Sequence, residues 1–488
     1  MCNLGYDTIF NKKEDFVISN LGSLTEKAFD IPFYKKLKDK GIKSYYLASL
    51  YYKEQLLGVI ELASKIPTSL EPTQKVVINK VKDLSINALR RMQEERENQL
   101  SSIIQKEFTS IHPSVEWKFR NEAERALETE VEGDHYSFGN ITFRSLIALF
   151  GQSDISGSSN ARNKAIASDL QTQMTLVQDI ITRLSSHISM PLLDSIMYQI
   201  GMINEKLSSD LAAGMEQEVI AFLRTRINPL FEEMKTRDEH VAAQIDDYFQ
   251  QMGNNMEVIY HERKAYDETV TMINAHLSTR LDTEQEEAQK IYPHFFERYK
   301  TDGVEHNMYI GQEMTPHIPY NKLYLDNLRL WQLKIICQLE IEHRQRMVDY
   351  PMQLHIASLI MVYSNPMAIR YRMDEKQFDI DGAYNARYEI IKKRIDKAHI
   401  KGTDERITQP GKIIIIYTQA SDLDEYLNYV SFLTYQGYII GEAEQFDIQE
   451  LQDVVGLNGL RVCVNYDHDQ TEDDIRQKKN EEKEEVEV

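Results

Sequence analysis

The sequence has few cysteines, few glycines and prolines, no excess of basic residues and no long hydrophobic run. Its three cysteines, Cys2, Cys337 and Cys463, lie far apart without paired spacing, which indicates reduced thiols and excludes a disulfide framework. Glycine and proline number only 20 and 12 among 488 residues, so the collagen-like and low-complexity classes are excluded. The composition is that of a globular protein rich in helix.

The charge balance also limits the possible partners. Acidic residues outnumber basic ones by 77 to 56, and the formal net charge is -21. Binding to duplex phosphates needs concentrated positive charge, and no strongly basic block is present, so we expect no nucleic-acid partner. The first 20 residues carry charges where a signal peptide needs an apolar core, and no later segment is apolar over a bilayer-spanning length. We therefore expect a cytoplasmic protein without a membrane partner.

The length predicts several folded units at about 150 residues per domain. Changes in hydrophobic periodicity along the chain predict an α+β multidomain protein. The predicted segments are a partial α/β module at 1–70, a long coiled exit helix at 71–108, a mixed α/β segment at 109–160, a helical bundle at 161–349, a C-terminal α/β sandwich at 350–466 and a disordered acidic tail at 467–488.

The first segment shows a strand, a helix and two strand-like runs joined by a turn at 53–55. The run GIKSYYLASLYYKEQLLGVIELAS, with the long helix that follows it, resembles the C-terminal half of a GAF domain. Longer strings, among them ALFGQSDISGSSNARNKAI and RITQPGKIIIIY, resemble uncharacterised bacterial GAF-domain-containing proteins. This resemblance implies a regulatory or sensory role and no particular reaction or cofactor. Because the first helix and strands of a GAF domain have no counterpart, we expect that Met1 is not the natural start of the chain.

Two helical segments carry apolar residues at three-four spacing and are predicted to self-associate. They cover 71–108 and 227–281, the second as one rod or as a hairpin turning at 253–255. The sequence therefore predicts a homodimer.

The string LFGQSDISGSS predicts a small-molecule or anion site at Ser158, Ser159 and Arg162. The two serines precede a helix, so their hydroxyls and backbone amides are able to face a phosphate or carboxylate, with Arg162 one turn further on. An ordinary helix N-cap at Ser158 or Ser159 is the structural alternative.

The same string is similar to the metal-binding strand of nucleotide cyclases, in which carboxylates hold two divalent cations beside a triphosphate. Asp154 would be the first of these carboxylates. Such enzymes place a second aspartate after a glycine at a hairpin tip. This aspartate has no counterpart here, because Asp169, Asp179 and Asp194 all lie in helical patterns. The sequence thus favours binding over catalysis here.

Three further motifs each have a structural explanation. Glu340 and His343 have the three-residue spacing of di-iron helices, but a second pair is missing, so a solvated helix face is favoured. RYRMDEKQFDIDGAY concentrates arginine and aspartate, which suits either a ligand rim or an ion pair between neighbouring strands. KKRIDK at 392–397 is interpreted as a solvated helix face.

Taken together, these patterns favour a non-catalytic cytoplasmic regulatory or sensory protein, in which a GAF-like module is coupled to a helical bundle. The alternatives are an enzyme with a site near 153–162 and a protein-interaction scaffold without a small ligand. The ligand, any cofactor and the output partner stay open.

Overall fold

The structure is a computed structural model that describes residues 3–70, 75–108, 111–132, 136–207, 214–252, 258–381, 388, 391–451, 454 and 456–468. It is a mixed α/β fold with several helices and sheets. The chain forms two compact units: Met1–Ile111 with Lys118–Gly139, and His112–Trp117 with Asn140–Val488. Of the predicted acidic tail, 469–488 lies outside the described residues, whereas His468 is buried and its ring stacks on Tyr438.

The first unit contains a three-stranded antiparallel sheet in the order β1-β2-β3. The predicted tight turn is confirmed, because β2 and β3 are joined by Lys53 and Glu54 alone, with Lys53 at a φ of 52°. The predicted long helix is also confirmed over its described part. The strands are β1 (Phe16–Ile18), β2 (Ser44–Tyr52) and β3 (Gln55–Ser64), and the helices are α1 (Asn3–Tyr6), α2 (Pro32–Asp39) and α3 (Lys75–Glu107), followed by α4 (Glu116–Glu132).

The second unit is built on a nine-stranded sheet whose main path runs β11-β12-β10-β7-β4-β6-β5, with β8 pairing both β4 and β9. Strands β7 and β10 run parallel, and the other pairs of described strands in this sheet are antiparallel. The strands are β4 (Thr142–Ile155), β5 (Phe295–Thr301), β6 (Gly303–Ile310), β7 (Ile356–Val362), β8 (Met367–Arg372), β9 (Gln377–Asp381), β10 (Lys412–Tyr417), β11 (Ile439–Asp447) and β12 (Asn458–Val464).

This sheet crosses the boundaries drawn from the sequence at 160 and 349. Strand β4 comes from the predicted mixed segment, the β5–β6 hairpin from the predicted helical bundle, and β7 to β12 from the predicted C-terminal domain. Periodicity identifies single elements, but the partner of a strand is decided by long-range pairing that leaves no local pattern.

The helices of the second unit divide into two groups by their cores. Helices α5 to α9 share one apolar core, and α11 and α12 pack with much of α10 against one face of the sheet. The helices are α5 (Ser158–His187), α6 (Pro191–Leu207), α7 (Met215–Phe222), α8 (Asn228–Arg237), α9 (Glu239–Gln251), α10 (Glu262–Ile291), α11 (Lys322–Arg346) and α12 (Ala420–Tyr435). Among the described residues, no helix combines the length and the apolar character needed to cross a bilayer.

The segment 227–281 is neither one rod nor a simple hairpin. It forms α8, α9 and most of α10, and Ile227, Phe231, Ile245, Ile273 and Leu277 are buried in the cores of their own chain. These side chains are therefore not available to a second copy.

The run at 392–397, predicted as part of a helix, is helical in its first part only. The chain is helical at 391–394, continues as a short turn at Ile395–Lys397 and then forms a β-bridge at His399. Residues 382–387 and 389–390, just before this run, lie outside the described residues.

Candidate functional site

The two faces of the nine-stranded sheet differ in what covers them. Leu149 and Val304 point into the apolar cores beneath the helices. Because side chains alternate along a strand, their neighbours Phe150, Gln152 and Asp154 lie on the opposite face. The strand register brings Glu305 beside Gln152 on that face. Two cavities open there.

The first, which we call the aspartate cavity, has a volume of about 560 Å³. It lies where β4 ends and α5 begins, beside the tip of the β5–β6 hairpin. Its lining residues are Gln152, Asp154, Ile155, Gly157, Ser158, Ser159, Asn160, Thr301, Asp302, Asp396, Lys397 and Arg406.

A series of hydrogen bonds connects two lining residues of this cavity with a tyrosine of α10. The Ser158 hydroxyl donates to Asp302 Oδ2 at 2.6 Å and lies 2.6 Å from the Tyr266 hydroxyl. Since its single hydrogen is used on Asp302, Ser158 accepts from Tyr266. Helix α5 begins at Ser158, after Gly157 at a φ of 67°, and Gly157 gives no side-chain cap. The prediction of a serine N-cap is therefore wrong, because the serine hydroxyl is turned towards the hairpin instead of its own helix.

Some polar groups in the cavity wall lack a hydrogen-bond partner or an opposite charge. The Gln152 amide nitrogen donates to Asp154 Oδ2, while Gln152 Oε1 has no hydrogen-bond partner among the described residues, although the side chain is only 8% exposed. Burial raises the pKa of Asp154 to about 7, and the nearby charge of Asp396 adds to the rise. Burial also raises the pKa of Asp396. The carboxyl groups of Asp154 and Asp396 and the oxygen Gln152 Oε1 therefore favour binding of a positively charged group between them.

The three residues predicted to bind a ligand have different positions. Ser158 and Ser159 line the aspartate cavity, although the Ser158 hydroxyl is already engaged. Arg162 lies one turn further along α5 with an exposed side chain, and the described cavity lining does not include it. Their role in binding stays a prediction.

The second cavity, which we call the Asn307 cavity, has a volume of about 290 Å³ and lies further along the same sheet face. Asn307 in β6 is 1% exposed, and within the described chain neither its amide nitrogen nor its amide oxygen has a hydrogen-bond partner. The lining residues are Glu297, Tyr299, Glu305, Asn307, Tyr309, Ile369, Gln377, Phe378, Asp379, Ile380 and Lys392.

Lys392 is a charged residue in the lining of the Asn307 cavity. Its ammonium nitrogen lies 3.3 Å from Glu305 Oε1, 5.2 Å from the centre of the Phe150 ring and 5.6 Å from that of Tyr299. The ion pair with Glu305 balances the charge of that carboxylate, and both rings favour a cation over their faces.

Sequence reasoning missed several of these groups. In KKRIDK, Lys393, Arg394 and Lys397 are exposed, as the interpretation of a solvated face expects, whereas Lys392 and Asp396 are only partly exposed and line the cavities. A hairpin aspartate, Asp302, stands between β5 and β6, but it precedes Gly303, so it does not have the position after a glycine that the comparison with nucleotide cyclases calls for. The dipeptide Asp302-Gly303 between two alternating runs is a recognised hairpin signal and was available in the sequence. Asn307 gave no such signal.

The other candidate motifs have structural roles. Glu340 and His343 are buried, so the prediction of a solvated face is wrong: Glu340 accepts from Ser358, and His343 Nε2 lies 2.9 Å from Leu354 O. Arg370 pairs with Asp381 between β8 and β9, which confirms the ion-pair interpretation. In the part of the chain that is described, no group of three or more His, Cys, Asp or Glu side chains is placed to hold a metal ion.

Comparison with known proteins gives one match. Residues 164–277 match the model of a family described as YeeD uncharacterised protein, so this stretch of helices α5 to α10 is similar to that family. No curated protein matches the chain. The matched stretch contains no lining residue of either cavity, and the GAF resemblance stays a prediction.

Proposed function

We propose that the chain is a non-catalytic cytoplasmic regulatory protein that responds to a polyphosphate ligand bound with a divalent cation in the aspartate cavity. The carrying observation is that one cavity combines Asp154, Asp302 and Asp396 with the beginning of the 30-residue helix α5. Carboxylates attract the cation, and the amides and dipole at a helix N-terminus attract phosphate.

The rest of the lining supports this ligand class. Gln152 Oε1 is an unpartnered oxygen at the inner part of the cavity, and oxygen is the donor that Mg²⁺ prefers. Lys397 and Arg406 add positive charge for the phosphates. A magnesium site of this kind uses one or two carboxylates, waters and the phosphates themselves, so it does not need a cluster of three protein ligands.

The test is binding of tripolyphosphate with Mg²⁺, measured by titration calorimetry. We expect Asp154→Asn to weaken binding by about tenfold or more, because it removes a charge that faces the cation. Asp179→Asn, at an exposed position of α5, is the matched control and should bind like the wild type. Equal binding by wild type and Asp154→Asn would refute the proposed site.

An enzyme acting at the same cavity is the second candidate. Asp154 and Asp302 line one cavity, and Asp302 is at a hairpin tip, although it precedes Gly303 and does not follow a glycine as in nucleotide cyclases. A carboxyl with its pKa near 7 is also suited to proton transfer. Incubation with nucleoside triphosphates and Mg²⁺ separates the candidates: turnover that is lost in Asp154→Asn establishes the enzyme, and binding without turnover supports the regulatory protein.

We also propose that the protein forms a homodimer through α3. Val77, Val81, Leu84 and Met92 follow one face of this helix and are 65%, 46%, 71% and 67% exposed. Such an apolar stripe at three-four spacing is typical of a helix that pairs with another helix. In this proposal, a ligand or partner that binds the GAF-like module changes the pairing of α3, as the GAF resemblance implies.

Sedimentation at micromolar protein concentration checks the dimer. We expect the wild type to sediment as a dimer and Leu84→Glu as a monomer, since a buried carboxylate is costly at a helix interface. Asn79→Glu, which lies at an exposed position away from the stripe, should remain dimeric. A wild type that is strictly monomeric contradicts the proposal.

A further inference from the structure

The unsatisfied amide of Asn307 points to a binding site beyond the aspartate cavity. We infer that the Asn307 cavity binds a nucleobase, so that the polyphosphate ligand of the proposed function is a nucleotide. This inference rests on the proposed function for the position of the phosphates, and on Asn307 and its surroundings for the base.

The amide of Asn307 defines the chemistry of the missing partner. A buried amide that makes no hydrogen bonds costs free energy, and both of its polar atoms are unpartnered in the described structure. A ligand that satisfies it must present a donor and an acceptor side by side. Nucleobases have such edges, and an asparagine amide pairs with both N6 and N7 of adenine.

The walls of the cavity suit a flat ring. Tyr299, Tyr309 and Phe378 contribute aromatic surface, and Ile369 and Ile380 contribute aliphatic surface. Three of the charged lining groups are paired, Glu305 and Lys392 with each other and Asp379 with Arg372. A neutral planar heterocycle therefore fits these walls better than a charged or extended chain.

The spacing along the sheet suits one molecule that uses both cavities. Asn307 in β6 is paired with Phe150 in β4. Phe150 lies four residues before Asp154 in the same strand. Four residues of an extended strand cover roughly 13 Å. The ammonium group of Lys392, which lines the Asn307 cavity, pairs with Glu305 on the same face. The base at Asn307 and the phosphates at Asp154 would thus lie about this distance apart on one face of the sheet.

The experiment measures adenosine binding to the full chain by calorimetry without divalent cation. Purine riboside is the matched ligand, because it has the same ring but lacks the exocyclic amine that donates to the amide. We expect adenosine to bind and purine riboside to bind about tenfold more weakly, the scale of one or two neutral hydrogen bonds. This comparison uses the wild type alone, so it does not depend on the folding of any variant.

Variants then locate the site. Asn307→Leu should weaken adenosine binding by about tenfold or more, while the exposed control Asn327→Leu leaves it unchanged. Absence of adenosine binding, or equal binding by wild type and Asn307→Leu, overturns the inference.

Tripolyphosphate with Mg²⁺ separates the two proposals. If it binds and adenosine does not, the polyphosphate site stands and the base site falls. If adenosine binds with the expected dependence on Asn307 and tripolyphosphate does not bind, the base site stands and the polyphosphate ligand of the proposed function falls.

Discussion

Gly151→Ala is expected to lower the free energy of unfolding of the second unit by about 3 kcal/mol or more. Gly151 lies in the middle of β4, with β6 on one side and β7 on the other. A Cβ at this position would lie 2.6 Å from His306 Nε2 and 3.0 Å from Gln332 Nε2. Neither side chain has room to move freely, because both are fully or almost fully buried and they contact each other at 3.1 Å.

The measurement is urea unfolding followed by tryptophan fluorescence. Both tryptophans, Trp117 and Trp331, belong to the second unit, so the signal reports on the unit that contains the sheet. Gly201→Ala in α6 is the matched control: its Cβ would meet nothing within 4 Å, and alanine in a helix interior stabilises by about 0.5–1 kcal/mol. Comparable stability of Gly151→Ala and wild type would show that His306 does not occupy this position.

The need for glycine at position 151 arises from a distant residue, which the local sequence pattern does not reveal. A strand in this region was predictable, because FGNITFRSLIALFG at 138–151 alternates and is rich in branched and aromatic residues, but β4 continues to Ile155 through residues whose polar pattern favours a loop. The His306 side chain that demands glycine lies 155 residues further along the chain in β6. No spacing rule connects the two positions.

In the candidate site too, the local pattern is visible in the sequence, whereas the contacts between distant segments are not. The polar string at 153–162 predicted a binding region, since it precedes a long amphipathic helix, and binding there stays a prediction. Asp302 of the β5–β6 hairpin and Asp396 of the turn Ile395–Lys397 line the same cavity as this string, a proximity in the fold that a single sequence does not specify. Glu340 was misjudged for a related reason: its helix packs against the sheet over more than one apolar stripe, so spacing alone did not identify its buried face.

Burial of Glu340 leads to the second large effect, a fall in stability as the pH rises. Burial raises the pKa of Glu340 to about 8 from the ordinary value of 4.5. Between these values the native state keeps the proton and the unfolded state has lost it, so the native state binds more protons. The free energy of unfolding therefore decreases as the pH rises from about 4.5 to about 8. Asp154, with its pKa raised to about 7, contributes with the same sign.

Glu340→Gln should remove most of this dependence, because glutamine keeps the oxygen that accepts from the Ser358 hydroxyl but has no proton to lose. At pH 8.5 we expect the variant to be more stable than the wild type by about 1.4 kcal/mol or more, the equivalent of one pH unit in pKa. At pH 5 the two proteins should be nearly equal, since the native carboxyl is then protonated. Urea unfolding by tryptophan fluorescence at both pH values measures the difference.

Glu286→Gln in α10 provides the matched control, because the same chemical change is made at an exposed position. Its stability should follow that of the wild type at both pH values. A Glu340→Gln protein that is less stable than the wild type at pH 8.5 would mean that the ionised carboxylate is stabilised in the native core. Ser358 and Tyr466, the two hydroxyl groups that donate to Glu340, would then outweigh its desolvation, and a charged network beneath β7 would be part of the architecture that supports the site.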